Sequence, residues 1–559
     1  MTDELLPGPW EKIHRDLGVS GPKFDDRPLG TYIEGFADSI PNNSAMRYFE
    51  RDISYRELNE LANRLANSLS RLGIGKGDVV GIHMPNIPQY VIALIAVSKL
   101  GAAASGVSPL LAPREVVYQI EDAGIKVLLS LDRLVGTTLT GMDTLPACLS
   151  AVIVSGADDH RHPGEPEPPE LSAVECLSYL ELMNSASPDF RQVELAWDHV
   201  YLLQYTGGTT GRPKGAMLTV RGIMYNLRIT HIYRPFETGR EIVASAFPLF
   251  HVGGLTMTLA ALRNGACSLV IPDARDVNHF CEQMIDCPPT RLAAVPTLYQ
   301  MIVNHPLSRE IDFSHLKLAM TGAAPITGDD RTRIEAMLGT NMLCEGFGMT
   351  ESGPTYVVNP PDRCKPEAIG IPLPGTDVRI VDLETGTHEL PYGEAGEIIT
   401  ASPQLMKGYL NRPEETAHAL REWCGRTWMY SGDVGVMDEE GYIYLRDRAK
   451  DMLIVSGFKV FSVEVEDKLS ELDVIAQSAV VGTADDQRPG SERVNLYVQL
   501  TPEARKRDPE QIRQEITEFC RANMAPYKVP KLIHLIDEIP LTAVGKIDKK
   551  ILRELSRQT

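Results

Sequence analysis

The chain of 559 residues contains no CxxC pair. Its nine cysteines are scattered from Cys148 to Cys520, and the closest two, Cys281 and Cys287, have no histidine at zinc-finger spacing. That pattern excludes a local zinc site and points to reduced, mostly buried thiols in a cytoplasmic protein, with no structural metal implied. A long apolar run is also missing. The most hydrophobic stretch, Val91 to Val107, is interrupted by Lys99 and Gly101; it is too short and broken to span a bilayer and reads as a buried helix followed by a strand. The opening MTDELLPGPWEK has no basic region leading into an apolar one, so no signal peptide is expected. Positive charge is in short supply, with 55 Lys and Arg against 75 Asp and Glu and a formal net charge of −20. Such a surface argues against nucleic acid as a partner and against electrostatic docking on an anionic membrane, while leaving a peripheral hydrophobic contact open. A polyanionic substrate must therefore be met by local positive charge. Hydrophobic residues at 43% and charged residues at 23% predict folded, globular chain throughout.

No internal repeat at a fixed period is present; the first half instead alternates helix and strand. Ser54 and Glu57 form a capping box, followed by Leu58, Leu61, Leu65, Leu69 and Leu72 at helical spacing and Gly73 as a stop. DVVGIHM (78–84) reads as a strand, 87–100 and 113–123 as helices, and IKVLLSL as the next strand. This rhythm predicts a mainly parallel sheet with helices on both faces. The proline- and acid-rich stretch 157–170 reads as an exposed loop, and 370–399 as short strands of a small antiparallel or barrel-like subdomain. A boundary is expected near 446–451. Beyond it, a helix over 463–472, two strands within 477–500, a helix over 508–524 and a strand over 531–536 suffice for a small α+β domain.

The most informative segment is YTGGTTGRPKGAMLT (205–219), with four glycines, four threonines, an arginine and a lysine in fifteen positions. Glycine permits positive φ and close approach to a ligand. Exposed N–H groups, hydroxyls and a lysine together make a cradle for phosphate oxygens. The nucleotide-kinase P-loop has lysine directly after glycine and before Ser or Thr; here Pro213 precedes Lys214 and Gly215 follows it.

Four further segments accompany this loop in order: GFGMTES (346–352), YSGDVG (430–435), DRAKDMLIVSGFKVFSVEVE (447–466) and PLTAVGKIDKKILRE (540–554). Together they resemble the adenylate-forming (AMP-binding) superfamily, and within it the medium- and long-chain fatty acyl-CoA ligases, over nearly the whole chain from about Asp52 onward. The resemblance implies a large AMP-binding α/β domain (1–446), a hinge (447–451) and a small mobile C-terminal lid domain (452–559). It implies that Thr206, Gly207, Gly208, Thr209, Thr210, Gly211 and Lys214 hold the β- and γ-phosphates of ATP. Thr350 and Glu351 would lie beside the triphosphate, with Glu351 as the Mg²⁺ ligand, a hard carboxylate for a hard cation. Gly322, Ala323 and Ala324 resemble the small-residue turn between adenine and the acyl pocket, tight packing being an equal use for such small side chains; Glu345, Gly346, Phe347 and Gly348 would bind the nucleotide. Phe347 stands where relatives commonly carry tyrosine and keeps the stacking face. Asp433 would accept hydrogen bonds from the ribose hydroxyls, with Arg448 on the same side.

Lys546, in a PxTxxGKIxK pattern, would neutralise charge between the carboxylate and the α-phosphate. Lys450 matches the hinge position, and Gly457 would line the pantetheine channel. His251 resembles the histidine at the mouth of the acyl site, where gating or placement is expected of it more than acid–base chemistry. Ser462 replaces a proline frequent in this motif, which would relax the local backbone without removing a catalytic group. The implied reaction joins a carboxylic acid, ATP and CoA into acyl-CoA, AMP and pyrophosphate. Alternatives in the same superfamily are loading of a separate carrier protein and ligation of an aryl or other acid. A catalytically silent binder would be expected to lack Lys214, Glu351 or Lys546, and all three are present. A homodimer remains compatible with the sequence.

Overall fold

The computed structural model describes residues 6–21, 27–140, 142, 144–164, 168–171, 174–206, 212–322, 326, 328–456, 458–485, 488, 491–541 and 547–558. The chain divides into two compact units. One comprises Met1–Asp377 and Ala401–Met429, the other Val378–Thr400 and Tyr430–Thr559.

Two parallel-cored sheets organise the first unit. The seven-stranded one runs Glu175–Ser178, Ala151–Ser155, Ile125–Leu131, Val79–His83, Ala103–Gly106, Val200–Thr206, Lys214–Thr219. Its pairings are parallel except the last, which is an antiparallel hairpin. The nine-stranded sheet is parallel from Ser44–Tyr48 through Cys267–Leu269, Ile242–Ser245, Arg291–Ala294 and Leu318–Gly322 to Leu343–Gly348, with antiparallel strands at both edges. The alternation of helix and strand thus produces the mainly parallel α/β architecture expected from the sequence. Ser54 Oγ accepts the Glu57 N–H at 3.2 Å and starts the helix Tyr55–Arg71; this is the serine half of the expected capping box, while the Glu57 carboxylate pairs with Arg51. Pro88 and Pro113 sit at the first position of their helices, where no amide donor is missed. Among the described residues of the stretch 157–170, Asp159 departs most from the expected exposure. Asp159 is 5% exposed, because its carboxylate accepts hydrogen bonds from Ser155 Oγ at 2.8 Å and Gly156 N at 3.0 Å, folding the loop's start onto the sheet end.

The helix Pro88–Leu100 is buried at every residue. That suits an apolar run, yet it carries Lys99, whose side chain is fully buried. The ammonium donates to Glu34 Oε1 at 2.8 Å and to Asn59 Oδ1 and Asn63 Oδ1, both at 2.7 Å. Three acceptors for three N–H groups satisfy the charge and tie together the helices Leu29–Ser39, Tyr55–Arg71 and Pro88–Leu100.

In the second unit, Ile475–Ala484 and Glu492–Leu500 pair antiparallel and Leu532–Ile536 adds in parallel. Helices Ser462–Leu469, Pro509–Asn523 and Lys549–Gln558 complete an α+β fold, whose core includes Val465, Leu469, Val480, Leu496, Ile512 and Ile516. The short-strand region after Gly370 contributes Asp377–Val381 and Gly396–Ala401 to a five-stranded sheet with Arg426–Met437, Leu420–Trp423 and Ile443–Arg448. All nine cysteines are free. Among the described residues no helix is long and apolar enough to cross a membrane.

Replacing Lys99 with methionine leaves a partly buried carboxylate and two amide oxygens without their cation. The expected cost is about 3 kcal/mol, read as a lower midpoint in urea unfolding; an unchanged midpoint would show that the cage contributes nothing.

Candidate active site

The glycine/threonine segment is a hairpin connection. Thr206 ends one strand, Lys214 begins the next, and the two are register partners. Gly207, Gly208, Thr209, Thr210 and Gly211 lie outside the described residues, but the base of the connection is well defined. Tyr118 Oη donates to Pro213 O at 3.1 Å, and Tyr205 Oη donates to Asp122 at 2.7 Å. Arg412 also pairs with Asp122 at 2.7 Å, and the Arg212 guanidinium lies 5.4 Å from the Tyr118 ring centroid. Two arginines and a lysine thus gather around one hairpin of an acidic protein.

A second segment reaches the same place by backbone pairing. Lys407 N–H donates to Met217 O at 2.8 Å, Met217 N–H to Gly408 O at 2.9 Å, and Leu410 N–H to Gly215 O at 2.8 Å. Residues 407–410 thereby bridge to the strand Lys214–Thr219, with Tyr409 opposite Ala216. Gly408 makes the path passable: its φ is 139°, and a Cβ there would lie 2.7 Å from Thr416. Tyr409 is delivered next to Lys214, whose Nζ is 4.9 Å from the ring centroid, a cation–π contact. Tyr409 Oη donates to Glu351 Oε1 at 2.6 Å. Loss of hydration and the adjacent Glu351 carboxylate both push the phenol well above its ordinary pKa, so it remains a donor.

Glu351 occupies the 3₁₀ turn Thr350–Ser352. Met349 N–H donates to Ser352 Oγ at 3.0 Å, and the buried Gln404 amide donates to Ser352 O at 2.6 Å and Thr355 O at 2.7 Å. Gly348 precedes the turn because a Cβ there would fall 1.9 Å from Pro354 O. The turn is thus fixed from both sides, leaving the Glu351 side chain half-buried against Tyr409. Tyr409 and Gln404 were not singled out from the sequence. They sit in QLMKGYL, whose meaning depends on pairing with a strand far away in the chain.

On the neighbouring strands, Phe347 lies 5.6 Å from Tyr356, ring centroid to centroid, in an edge arrangement. Gly322 meets Gly346 O at 2.4 Å from where a Cβ would be, so tight strand packing accounts for that glycine. Ala323 and Ala324 lie outside the described residues. Glu345 is 8% exposed, its nearest cation being Arg331 at 3.6 Å. Burial pushes its carboxyl up to about 7, partly offset by Arg331. His251 caps the helix Val252–Arg263, its Nδ1 accepting the Gly253 N–H at 3.2 Å. A Cβ on Gly254 would lie 2.3 Å from Pro248 O, so close backbone contact accounts for that glycine.

In the second unit, Asp433 and Arg448 are register partners on adjacent strands, with Oδ1 and Nε 3.1 Å apart and the Asp433 side chain 5% exposed. Lys450 follows directly, its backbone carbonyl accepting from Arg553 at 3.5 Å. Gly457 and Lys546 lie outside the described residues.

A hairpin with clustered cations, a lysine and a carboxylate held on opposite functions of one tyrosine, and a separate Asp–Arg pair on a small α+β unit mark an α/β enzyme of the adenylate-forming class. Residues 33–410 match the AMP-binding enzyme family, and residues 464–546 match the AMP-binding enzyme C-terminal domain. The chain belongs to this family. It is 33% identical to a long-chain-fatty-acid–CoA ligase of Escherichia coli O6:H1 over 523 residues, 90% of each chain. It is 32% identical to one of Bacillus subtilis over 550 residues, covering 95% of this chain and 94% of that one. Among solved structures, ATP-bound MatB from Rhodopseudomonas palustris superposes with a TM-score of 0.81 at 26% identity, covering 95% of this chain and 99% of that one.

Two outcomes follow. Tyr409→Phe keeps the ring beneath Lys214 and removes the hydroxyl, so kcat/KM for ATP is expected to fall about tenfold, with a larger fall for Tyr409→Ala; equal losses would assign the effect to the hydroxyl alone. Glu345 has a folded pKa raised above its unfolded value, so its contribution is fully present below about 4.5 and is lost as pH rises through about 7. Glu345→Gln is therefore expected to gain stability relative to the parent between pH 5 and pH 8, by up to about 3 kcal/mol; a pH-independent difference in melting temperature would contradict this.

Proposed function

We propose that the protein activates a carboxylic acid with ATP and transfers it to CoA, and that the acid is a medium- or long-chain fatty acid. The observation that carries the reading is the Lys214–Tyr409–Glu351 cluster at the hairpin base, in a chain whose fold and sequence are those of AMP-binding enzymes. The fatty-acid assignment draws support from the ligases similar to it along nearly their full length.

In the first step a carboxylate oxygen attacks the α-phosphorus of ATP. The bond to the bridging oxygen breaks, pyrophosphate leaves, and an acyl-adenylate forms. Two anions must meet, so oriented positive charge is the main requirement. Lys214 and the 206–214 connection would hold the β- and γ-phosphates. Glu351 suits Mg²⁺: it is one hard carboxylate, fixed by a tyrosine hydroxyl, and would hold the cation together with substrate phosphate oxygens and water. When bound, that cation would offset phosphate charge as pyrophosphate departs. Asp433 would receive the ribose hydroxyls, its carboxylate oriented by Arg448. Lys546 would stabilise charge at the carboxylate and α-phosphate oxygens. In the second step the CoA sulfur attacks the acyl carbonyl, the mixed anhydride breaks, and AMP leaves. Residues 447–451, with Lys450, would act as the hinge that withdraws Lys546 between the steps, and Gly457 would line the path of the thiol.

AMP release from ATP is expected with fatty acids and to be stimulated by CoA, when measured across fatty, aromatic and branched acids. No AMP with any acid would sink the adenylation claim, and AMP formation unaffected by CoA would favour a carrier-protein acceptor. Lys546→Ala is expected to lower adenylation at least about a hundredfold while leaving thioester formation from pre-made acyl-adenylate largely intact; equal loss of both steps would contradict the two-step division of labour.

A further inference from the structure

The helix Pro113–Ala123 is fixed along one face and grips the phosphate hairpin with another. Val116, Ile120 and Ala123 are buried in a core shared with the strands Ile125–Leu131 and Ala151–Ser155. Between them Gln119 Nε2 donates to Ser105 Oγ at 3.1 Å and to Gly106 O at 2.9 Å. Apolar packing and a buried amide together hold the helix in register with the strands it covers. Tyr118 and Asp122, four residues apart, lie on one side of it. Both are half-buried.

These two side chains hold three segments that are distant in sequence. Asp122 Oδ2 accepts the Tyr205 hydroxyl at 2.7 Å, and Oδ1 accepts Arg412 Nη2 at 2.7 Å. Tyr118 Oη donates to Pro213 O at 3.1 Å and accepts from the same Arg412 nitrogen at 3.3 Å. Both carboxylate oxygens are engaged, and the Asp122 side chain is only 9% exposed, so water is a poor substitute for either partner. Burial and the Asp122 carboxylate push the Tyr205 phenol well above its ordinary pKa, which keeps it a donor. Each grip adjoins the candidate site. Tyr205 precedes Thr206, the register partner of Lys214, and a Cβ on Gly215 would lie 3.1 Å from the Tyr205 ring. Pro213 precedes Lys214 directly. Arg412 follows the 407–410 segment, which delivers Tyr409 to Lys214 and Glu351.

We infer that Asp122, acting through Tyr205 and Arg412, and Tyr118, acting through Pro213 and Arg412, are positioning residues that fix Lys214 relative to Tyr409 and thereby set the affinity for the triphosphate of ATP. The inference rests on the proposed reading of Lys214 as a phosphate ligand. Backbone pairing alone joins the 407–410 segment to the strand Lys214–Thr219, but it leaves the hairpin base free to shift sideways over the sheet end. The helix removes that freedom by holding the incoming strand, the outgoing strand and the crossing segment at once. Asp122→Ala releases two of the three and strands a guanidinium, whereas Tyr118→Phe releases only the carbonyl of Pro213 and a weaker contact to Arg412.

The test uses the full-length protein. In pyrophosphate exchange with dodecanoate, Asp122→Ala is expected to raise KM for ATP about tenfold, with KM for the acid and thioester formation from pre-made acyl-adenylate each within about twofold of the parent. Tyr118→Phe is expected to raise KM for ATP about threefold, and Asp122→Asn, which keeps an acceptor for Tyr205, to recover most of the loss caused by alanine. The Tyr118→Phe/Asp122→Ala double variant should fall short of the product of the two single effects, because both act on Arg412 and one hairpin. In hydrogen exchange by mass spectrometry, Asp122→Ala is expected to speed exchange in peptides covering 203–206 and 214–218 by about threefold or more, leaving 113–121 unchanged. An unchanged KM for ATP, unchanged exchange at the hairpin, or an equal rise in both KM values with a lowered melting temperature would overturn the inference. Should Asp122→Ala not fold, Asp122→Asn and Tyr118→Phe decide between these outcomes. A parent that exchanges pyrophosphate with no acid would remove the proposed reaction, and ATP binding by calorimetry across the same variants would still decide whether the helix positions the hairpin.

Discussion

The site depends on the pairing of residues 407–410 with the strand Lys214–Thr219. That pairing is made of backbone hydrogen bonds, so it is insensitive to most side-chain changes, and it needs one residue, Gly408, able to take a positive φ against Thr416. Two of the charged contacts at the hairpin follow from it. Tyr409 is placed under Lys214 and against Glu351, while Arg412 is brought to Asp122 beside the hairpin base. A protein with a surplus of twenty negative charges can handle a polyanion only if its cations are concentrated. Three of them, Arg212, Lys214 and Arg412, are grouped here by a few main-chain contacts.

Local signals were well expressed in the sequence because they depend on neighbours a few residues away. The Ser54 cap, the first-turn prolines at 88 and 113, and the alternation that builds a parallel sheet each involve contacts within one turn or one βα unit. The glycine- and threonine-rich stretch stood out by its composition, but that two paired strands flank it was not read from the sequence. Tyr409 and Gln404 were not legible either, because their roles come from strands and turns brought together by the tertiary fold. Asp159 reads as part of a solvated acidic loop until Ser155 and Gly156 are seen at its carboxylate.

Two residues changed character once their surroundings were known. Gly322 has the composition of a ligand-facing turn, yet Gly346 O approaches so closely that packing alone excludes a side chain. Ser462, read as a loss of rigidity relative to proline, adds what proline lacks: an amide hydrogen and a hydroxyl, both donated to Asp447. The local constraint is therefore replaced by a longer-range one that reaches Lys549. Substitution at a motif position can thus shift rigidity from a backbone ring to a side-chain network.

Tyr409 has a further consequence. A lysine and a carboxylate placed freely near each other would pair, and a paired lysine is a poor phosphate ligand just as a paired carboxylate is a poor metal ligand. The tyrosine gives each a different partner on the same ring, the π-face for the cation and the hydroxyl hydrogen for the anion. It acts as an insulating spacer, holding two opposite charges close without letting them cancel. Both are then available when a substrate carrying charges of its own arrives.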